Sequence, residues 1–157
     1  MDLEKECQQK MEEKFYQIEE KKEDGNLQYR TKYLESNKKY IIKSKKEIAE
    51  IFNKGEVFFT KDLKIIYKKR FNGKIRFVPC VSKKWGKTHE RNRFKRLVRE
   101  AMWEVIKDLE KKNQLNLYHL DIAILPKNLR IKEKDYKLNH LLPQIYFFLK
   151  KQQNKDN

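Results

Sequence analysis

Cysteine and histidine are scarce in this chain, which has two cysteines and three histidines among its 157 residues. His89, His119 and His140 are scattered, and Cys7 and Cys80 do not stand in the spacing that zinc ligands require. The carboxylates are scattered as well, whereas a metal-dependent nuclease needs a carboxylate cluster to hold Mg²⁺. We therefore expect no metal or other cofactor bound by the protein alone.

Long apolar runs are also missing from the sequence. A bilayer-spanning helix needs about 18 or more consecutive apolar residues, and no such stretch is present. The opening residues Met1–Lys5 resemble neither a signal peptide nor a lipidation motif. The expectation is a cytoplasmic protein that has no membrane partner.

The charge is large, of one sign and unevenly distributed. The formal net charge is +16, yet residues 1–24 hold nine acids and five bases, so that segment is −4 and the rest of the chain is +20. Such a positive domain predicts a polyanionic partner. We predict a charged N-terminal extension or linker over residues 1–38, helical or disordered, a folded domain over 39–151, and a disordered tail over 152–157.

The most informative stretch is Arg91–Arg99, which packs five basic side chains and an asparagine into nine residues. Apolar residues recur through it at helical spacing and predict a helix from Arg91 to about Lys111, with one face on the core and a basic face outward. A solvated charge face is the plain alternative, but like charges at i, i+4 repel, which favours a bound anion. The candidate nucleic-acid-binding residues are Lys83, Lys84, Arg91, Asn92, Arg93, Lys95, Arg96 and Arg99.

The remaining elements indicate an α+β fold with helices on a small sheet. Ser44 and Glu47 fit a capping box that starts a short helix, and Gly55 ends it. Asn72-Gly73 predicts a hairpin turn. Strands are predicted at Val57–Phe59 and Leu63–Tyr67 (two strands, or one with a break), at Ile75–Val81 and at Asp121–Leu125. A last helix is predicted over about Asp135–Lys151, and it should kink at Pro143 or stop at Leu142.

Two blocks of this sequence together resemble a known signature. Val81-Ser82-Lys83-Lys84-x-Gly86, followed by Arg91-Asn92-Arg93-x-Lys95-Arg96-x-x-Arg99-Glu100, is similar to the signature of the bacterial ribonuclease P protein subunit. The end of the first helix, Phe52–Gly55, and the strand Asp121–Ile124 followed by Pro126-Lys127 add to the likeness. The resemblance covers about residues 40–150.

This resemblance implies a fold and a function. The fold would be a ribosomal-protein-S5-domain-2-like α-β-β-β-α-β-α sandwich with a left-handed βαβ crossover, an exception to the usual right-handed rule. The protein would be the subunit of an endoribonuclease that removes the 5′ leader from precursor tRNA. Its partners would be ribonuclease P RNA and precursor tRNA, with no small-molecule substrate. The RNA would hold Mg²⁺ and carry the chemistry, so no catalytic residue is expected on the protein.

The resemblance also implies a cleft between the first helix and the sheet that holds the single-stranded leader. Phe52 and Tyr67 are the candidates for stacking on leader bases, although both could be ordinary core residues. Many relatives have an aromatic residue where this chain has Ile48. Three rival functions remain: a ribosome-associated or RNA-chaperone protein, a DNA-binding protein that uses residues 91–107 as a recognition helix, and, ranked last, a stand-alone nuclease.

Overall fold

A computed structural model describes residues 38–127 and 136–155. The predicted extension over residues 1–38, except its last residue, lies outside the described residues. From Lys39 onward the chain forms one compact unit. Its seven main elements are α1 (Lys45–Lys54), β1 (Glu56–Phe59), β2 (Leu63–Lys69), β3 (Arg76–Pro79), α2 (Thr88–Lys111), β4 (Leu120–Pro126) and α3 (Leu138–Lys155). This is an α+β fold in the element order that the resemblance implied.

Helix α1 begins and ends where the sequence predicts. The Ser44 hydroxyl accepts a hydrogen bond from the Glu47 N–H at 3.5 Å, and the Gly55 N–H closes the helix on the Ile51 carbonyl. Glu47 does not complete the predicted capping box, because its carboxylate pairs with Arg76 at 2.9 Å. Gly55 is needed for close approach, since a Cβ there would lie 2.9 Å from Cγ2 of Ile66 on the sheet.

The four strands lie in the order β1-β2-β4-β3. Strands β1 and β2 are antiparallel neighbours, so the suspected break at residues 60–62 is the turn between two strands. The predicted hairpin at Asn72-Gly73 is wrong as a strand pairing. Gly73 does turn the chain, with φ of 103°, but β4 lies between β2 and β3 and pairs with both. Local turn chemistry could not reveal a strand inserted from about 50 residues further on.

Strands β3 and β4 are parallel and adjacent, and α2 connects them, as in a βαβ unit. Pairs such as Val78 with Ala123 fix their register. The left-handed crossover and the ribosomal-protein-S5-like topology stay predictions.

One face of the sheet packs against α2 and α3 and forms the main core. Ile65, Phe77 and Ile122 from the strands are fully buried, together with Phe94 of α2 and Phe148 of α3. Helix α2 contributes a stripe at helical spacing: Phe94, Val98, Ala101, Met102, Val105, Ile106 and Leu109. This stripe confirms the helix that the apolar periodicity predicts, although the helix starts three residues earlier, at Thr88.

Both tryptophans serve packing. Trp85 is buried, with its ring centroid 5.5 Å from that of Phe94 and 5.8 Å from that of Tyr136. Trp103 lies edge-on to Phe77, with the ring centroids 5.1 Å apart, at the edge of the core. Edge-to-face contacts of this kind are among the preferred arrangements of aromatic pairs.

Helix α3 departs from its prediction at both ends and in the middle. It starts at Leu138 rather than Asp135 and passes through Pro143 as one helix. Of the two predicted outcomes, the stop at Leu142 is therefore wrong, and the kink at Pro143 stays a prediction. It also continues to Lys155, through four residues assigned to the tail, and Gln152 in that stretch is buried. Burial against the sheet offsets the hydrogen bond that Pro143 cannot make.

Candidate nucleic-acid interface

The first half of α2 presents the basic residues that the sequence singled out. We use "basic face" for Lys83, Lys84, Arg91, Asn92, Arg93, Lys95, Arg96 and Arg99. Within this set Arg91 and Lys95 are half-buried, and the other six are exposed. Phe94 and Val98 alternate with these residues in the sequence, are buried, and anchor the helix to the core. The helical period therefore turns the cations outward together.

Several guanidinium groups of the basic face are held by contacts within their own helix. Arg96 Nε donates to Glu100 at 3.0 Å, and Arg99 Nε donates to the Lys95 carbonyl at 3.0 Å. Arg91 Nη2 donates to Thr88 at 3.0 Å. Exposed ion pairs of this kind contribute about 0–1 kcal/mol, so a phosphate can replace the carboxylate at little cost.

Lys83 and Lys84 join the basic face through a short 3₁₀ turn, Lys83–Trp85, between β3 and α2. The Ser82 hydroxyl caps this turn by accepting from the Lys84 N–H at 3.3 Å. Trp85 anchors the turn to Phe94, so its two lysines lie beside the start of α2. The Ser82 cap and the Trp85 contact therefore fix the position of Lys83 and Lys84.

The other face of the sheet is covered by α1. Ile51 of α1 packs with Ile66, Val78 and Ala123 in a small buried cluster, and Ile48 packs against its margin. Side chains alternate between the two faces of a sheet, so a strand residue two positions away from a cluster residue lies on the same face. Such residues form the row Phe59, Lys64, Leu125 and Cys80, which strand pairing sets side by side.

This row is incompletely covered and forms an apolar cleft beside α1. We use "apolar cleft" for Ile48, Phe52, Val57, Phe59, Cys80 and Leu125. Phe59 is 57% exposed and Phe52 is 42% exposed, both large values for phenylalanine. Lys64 and Lys127 each place Nζ 5.9 Å from the centroid of the Phe59 ring. The cleft therefore combines exposed aromatic surface with cations.

The apolar cleft and the basic face adjoin one another. Burial raises the pKa of the Cys80 thiol in the cleft, and the charge of Lys95 on the basic face partly opposes that rise. Cys80 directly follows β3, and Lys83 and Lys84 come three and four residues later. Two lysines of the basic face therefore follow a residue of the cleft within four positions of the chain.

The structure separates the two residues proposed for base stacking. Phe52 lies on α1 one helical turn after Ile48 and is exposed, and its role in leader binding stays a prediction. Tyr67 is 2% exposed and lies on the opposite face of the sheet, where its ring centroid is 5.1 Å from that of Phe148. Its hydroxyl donates to Glu56 at 2.6 Å. Tyr67 is therefore a core residue, and its assignment to the leader-binding cleft is wrong.

Val57 and Phe59 are cleft residues that the sequence interpretation missed. Strand β1 alternates, so Phe58 points to the main core, where its centroid is 5.4 Å from that of Phe148. Its neighbours Val57 and Phe59 consequently share the face of α1. If Phe58 is taken as the core residue of β1, strand alternation predicts that Val57 and Phe59 face the other side of the sheet.

The opposite edge of α1 is closed by ion pairs. Asp121, buried in β4, accepts two hydrogen bonds from Arg76 at 2.9 and 2.8 Å, and Glu47 also pairs with Arg76. The Asp121 hydrogen bonds raise the pKa of Arg76. Glu50 accepts from Lys68 at 2.7 Å. Asp121 thus has a structural partner rather than the geometry of a general acid or base.

Across residues 38–127 and 136–155, no helix is both long and apolar enough to cross a bilayer. In the same described residues, no group of three or more His, Cys, Asp or Glu side chains could hold a metal ion. That the protein binds no metal stays a prediction.

Comparison with known proteins places the chain in a family. The profile of the family described as Ribonuclease P matches residues 36–146. A ribonuclease P protein component from Chlamydia caviae is 41% identical over 59 residues, which span 38% of this chain and 37% of that relative. A ribonuclease P protein structure from Staphylococcus aureus aligns with TM-score 0.55 and 21% identity over 80% of this chain and 96% of its own.

A second structure agrees. The ribonuclease P protein from Thermotoga maritima aligns with TM-score 0.55 at 21% identity, covering 70% of this chain and 94% of its own. At this identity the two structures show the shared fold. The family profile extends over most of the described domain, from before α1 into α3. The chain therefore belongs to the ribonuclease P protein family.

Proposed function

We propose that this chain is the protein subunit of ribonuclease P, which acts with a catalytic RNA to remove the 5′ leader from precursor tRNA. The observation that carries the proposal is the adjacency of two RNA-compatible surfaces on one small domain, the basic face of α2 and the apolar cleft beside α1. Family membership supports it independently.

The basic face is suited to bind the RNA subunit. Its side chains are Lys and Arg on one rigid helix and one capped turn, and a guanidinium fork matches phosphate geometry. Neutralising RNA phosphates releases condensed counterions, so binding should weaken steeply with salt. With about six phosphate contacts the slope of log K on log salt would be near −4 to −5.

The apolar cleft is suited to bind the single-stranded leader. Phe52 and Phe59 offer exposed rings, and every base has a face that can stack on them whatever its identity. Lys64 and Lys127 beside Phe59 would contact the leader phosphates. A cleft of this kind fits a substrate whose leader sequence varies.

The chemistry is assigned to the RNA partner, which would hold the Mg²⁺ ions that hydrolysis requires. The protein contributes binding and positioning: it extends the substrate-binding surface from the RNA onto the leader. This raises affinity for precursor over mature tRNA. Cytoplasmic location, expected from the sequence, is part of the same proposal.

Reconstitution tests the proposed function. The purified chain is mixed with its host's candidate ribonuclease P RNA and labelled precursor tRNA at low Mg²⁺, and release of the 5′ fragment is followed. Protein-dependent release is expected. The double variant Arg93→Ala/Arg96→Ala should weaken assembly with the RNA subunit at physiological salt.

Lys111→Ala/Lys150→Ala is the matched control, because it also removes two exposed cations. Lys111 lies about 22 Å along α2 from Arg96. Equal assembly by both double variants would contradict the role of the basic face. RNA binding without stimulated cleavage would favour the ribosome-associated alternative, and cleavage by the protein freed of RNA would overturn the division of labour.

A further inference from the structure

Gln144 of α3 holds the turn between β1 and β2 through its side-chain carboxamide. Oε1 accepts a hydrogen bond from the Thr60 hydroxyl at 2.5 Å and another from the Asp62 N–H at 2.9 Å. Nε2 donates to the Asp62 carboxylate at 2.7 Å and to the His140 carbonyl, one helical turn earlier in α3, at 2.8 Å. The donors and the acceptor of this half-buried carboxamide are thus all engaged, and they fix the turn at both Thr60 and Asp62.

The same turn holds Lys127, one of the two lysines beside the Phe59 ring. The Lys127 N–H donates to the Asp62 carbonyl at 2.9 Å, and Nζ donates to the Thr60 carbonyl at 3.1 Å. The backbone and the side-chain tip of Lys127 therefore both rest on the residues that Gln144 fixes. Phe59 directly precedes Thr60, so the exposed ring and the cation 5.9 Å from its centroid share one support.

Gln144 is not itself a residue of the apolar cleft. Helix α3 packs on the face of the sheet opposite to α1, where Phe148 contacts Phe58 and Tyr67. Gln144 reaches the end of the β1–β2 hairpin from that side, whereas the cleft lies on the side of α1. An effect of Gln144 on a strand bound in the cleft would therefore pass through the turn.

We propose that Gln144 is a positioning residue for leader binding, an inference that rests on the proposed function. By fixing the turn at Thr60 and Asp62, it holds Lys127 and Phe59 in one arrangement before the leader arrives. A lysine side chain that is ordered in advance loses less rotamer freedom on binding, which lowers the entropic cost of the contact. Its ammonium group has three N–H donors, so the bond to Thr60 leaves donors for a leader phosphate.

Three variants separate the hydrogen bonds of Gln144 from the bulk of its side chain. Gln144→Leu keeps a similar volume and removes every hydrogen bond of the carboxamide. Gln144→Glu can still accept from Thr60 and from the Asp62 N–H, but it sets a carboxylate against that of Asp62. The swapped pair Asp62→Asn/Gln144→Glu reverses the donor and the acceptor of this contact and keeps the net charge of the wild type.

The readout is the ratio of the affinities of the reconstituted holoenzyme for precursor and mature tRNA. Gln144→Leu and Gln144→Glu should each lower this ratio by about three- to tenfold through weaker precursor binding, with mature tRNA binding unchanged. The swapped pair should regain most of the wild-type ratio. Gln153→Leu is the matched control, since it makes the same substitution about 13 Å further along α3, and it should keep the wild-type ratio.

A double-mutant cycle tests the route by which Gln144 acts. In the background Phe59→Ala/Lys127→Ala, Gln144→Leu should lower the ratio no further, because the groups that it positions are gone. An equal loss for both RNAs, or a loss of undiminished size in that background, would leave Gln144 a role in stability alone and overturn the proposal.

The swapped pair decides the question even where Gln144→Leu does not fold. If this pair binds precursor no better than Gln144→Glu does, the proposal is wrong. A wild-type holoenzyme without any preference for precursor would contradict the proposed function itself. A wild-type preference that persists in Gln144→Leu removes only the present inference, so the two failures can be told apart.

Discussion

The two edges of α1 are built in opposite ways on the same face of one sheet. At the closed edge, Glu47 and Glu50 pair with Arg76 and Lys68 from the strands. At the open edge, Phe52 stands beside a sheet row whose Phe59 is flanked by lysines. One edge satisfies its charges within the protein, and the other leaves aromatic rings exposed beside lysines.

This difference shows how a ten-residue helix can be held on a sheet and still leave aromatic surface exposed. Such a helix is too short to be stable alone in water, so it depends on contacts with the sheet. Ion pairs and the Ile51 cluster hold its closed side. The open side can then keep aromatic surface exposed, which a helix held along both sides could not.

The largest effect is expected from breaking the closed edge with Arg76→Ala. The substitution removes both hydrogen bonds that Arg76 donates to Asp121 and leaves that buried carboxylate to Arg70 alone. Because Arg70 still pairs with Asp121, the expected loss is that of charged hydrogen bonds, about 1.5–3 kcal/mol of unfolding free energy. Urea denaturation measures it. Arg96→Ala, which breaks an exposed pair, should cost less than about 1 kcal/mol, and similar losses in both variants would contradict the comparison.

The next effect comes from the open edge. Phe59→Ala in the holoenzyme should weaken binding of precursor tRNA by about 1–3 kcal/mol and leave mature tRNA unaffected, because mature tRNA has no leader to stack. Affinities of the two RNAs measured side by side provide the readout. We expect the same selective loss of precursor tRNA binding for Phe52→Ala.

Tyr67→Phe is the control for this pair. Its hydroxyl lies in the core against Glu56, so leader affinity should not change. A loss for mature tRNA equal to that for precursor would show that the phenylalanines support the fold rather than the leader. A selective loss in Tyr67→Phe would restore the assignment that the structure removes.

The sequence predicted the basic face better than the cleft, for a physical reason. The basic face needs one helical period, and that period is written in consecutive residues from Phe94 to Leu109. The cleft depends on which strand is central and which face each strand residue takes. Those facts come from pairing β4 between β2 and β3, which no local pattern encodes.

Tyr67 and Pro143 illustrate the same limit. The face of Tyr67 follows from its alternation with Ile66, which packs under α1, and the local sequence does not say which of these two neighbours faces α1. Pro143 lies inside α3 because neighbours such as Leu142 and Ile145 are buried in the core. Tertiary burial outweighed the local propensity of proline in that case.

A smaller effect is expected for single cations of the basic face. Arg99→Ala should remove about one phosphate contact and flatten the slope of log K on log salt by about 0.7–0.9. Binding of the RNA subunit across a series of salt concentrations gives that slope. Lys111→Ala serves as the control and should keep the wild-type slope. Parallel lines for Arg99→Ala and the wild type would remove Arg99 from the interface.

The smallest effect concerns the closed edge at acid pH. The hydrogen bond from Lys68 and its charge lower the pKa of Glu50. Because the folded-state pKa lies below the unfolded one, the stabilisation is complete above the ordinary glutamate pKa of about 4.3 and disappears as the pH falls through the folded value. Urea midpoints of Glu50→Gln should therefore lie slightly below those of the wild type at neutral pH and converge with them in acid. A difference that persists or grows in acid would show that Glu50 acts through packing, and the closed edge would then not depend on this charge.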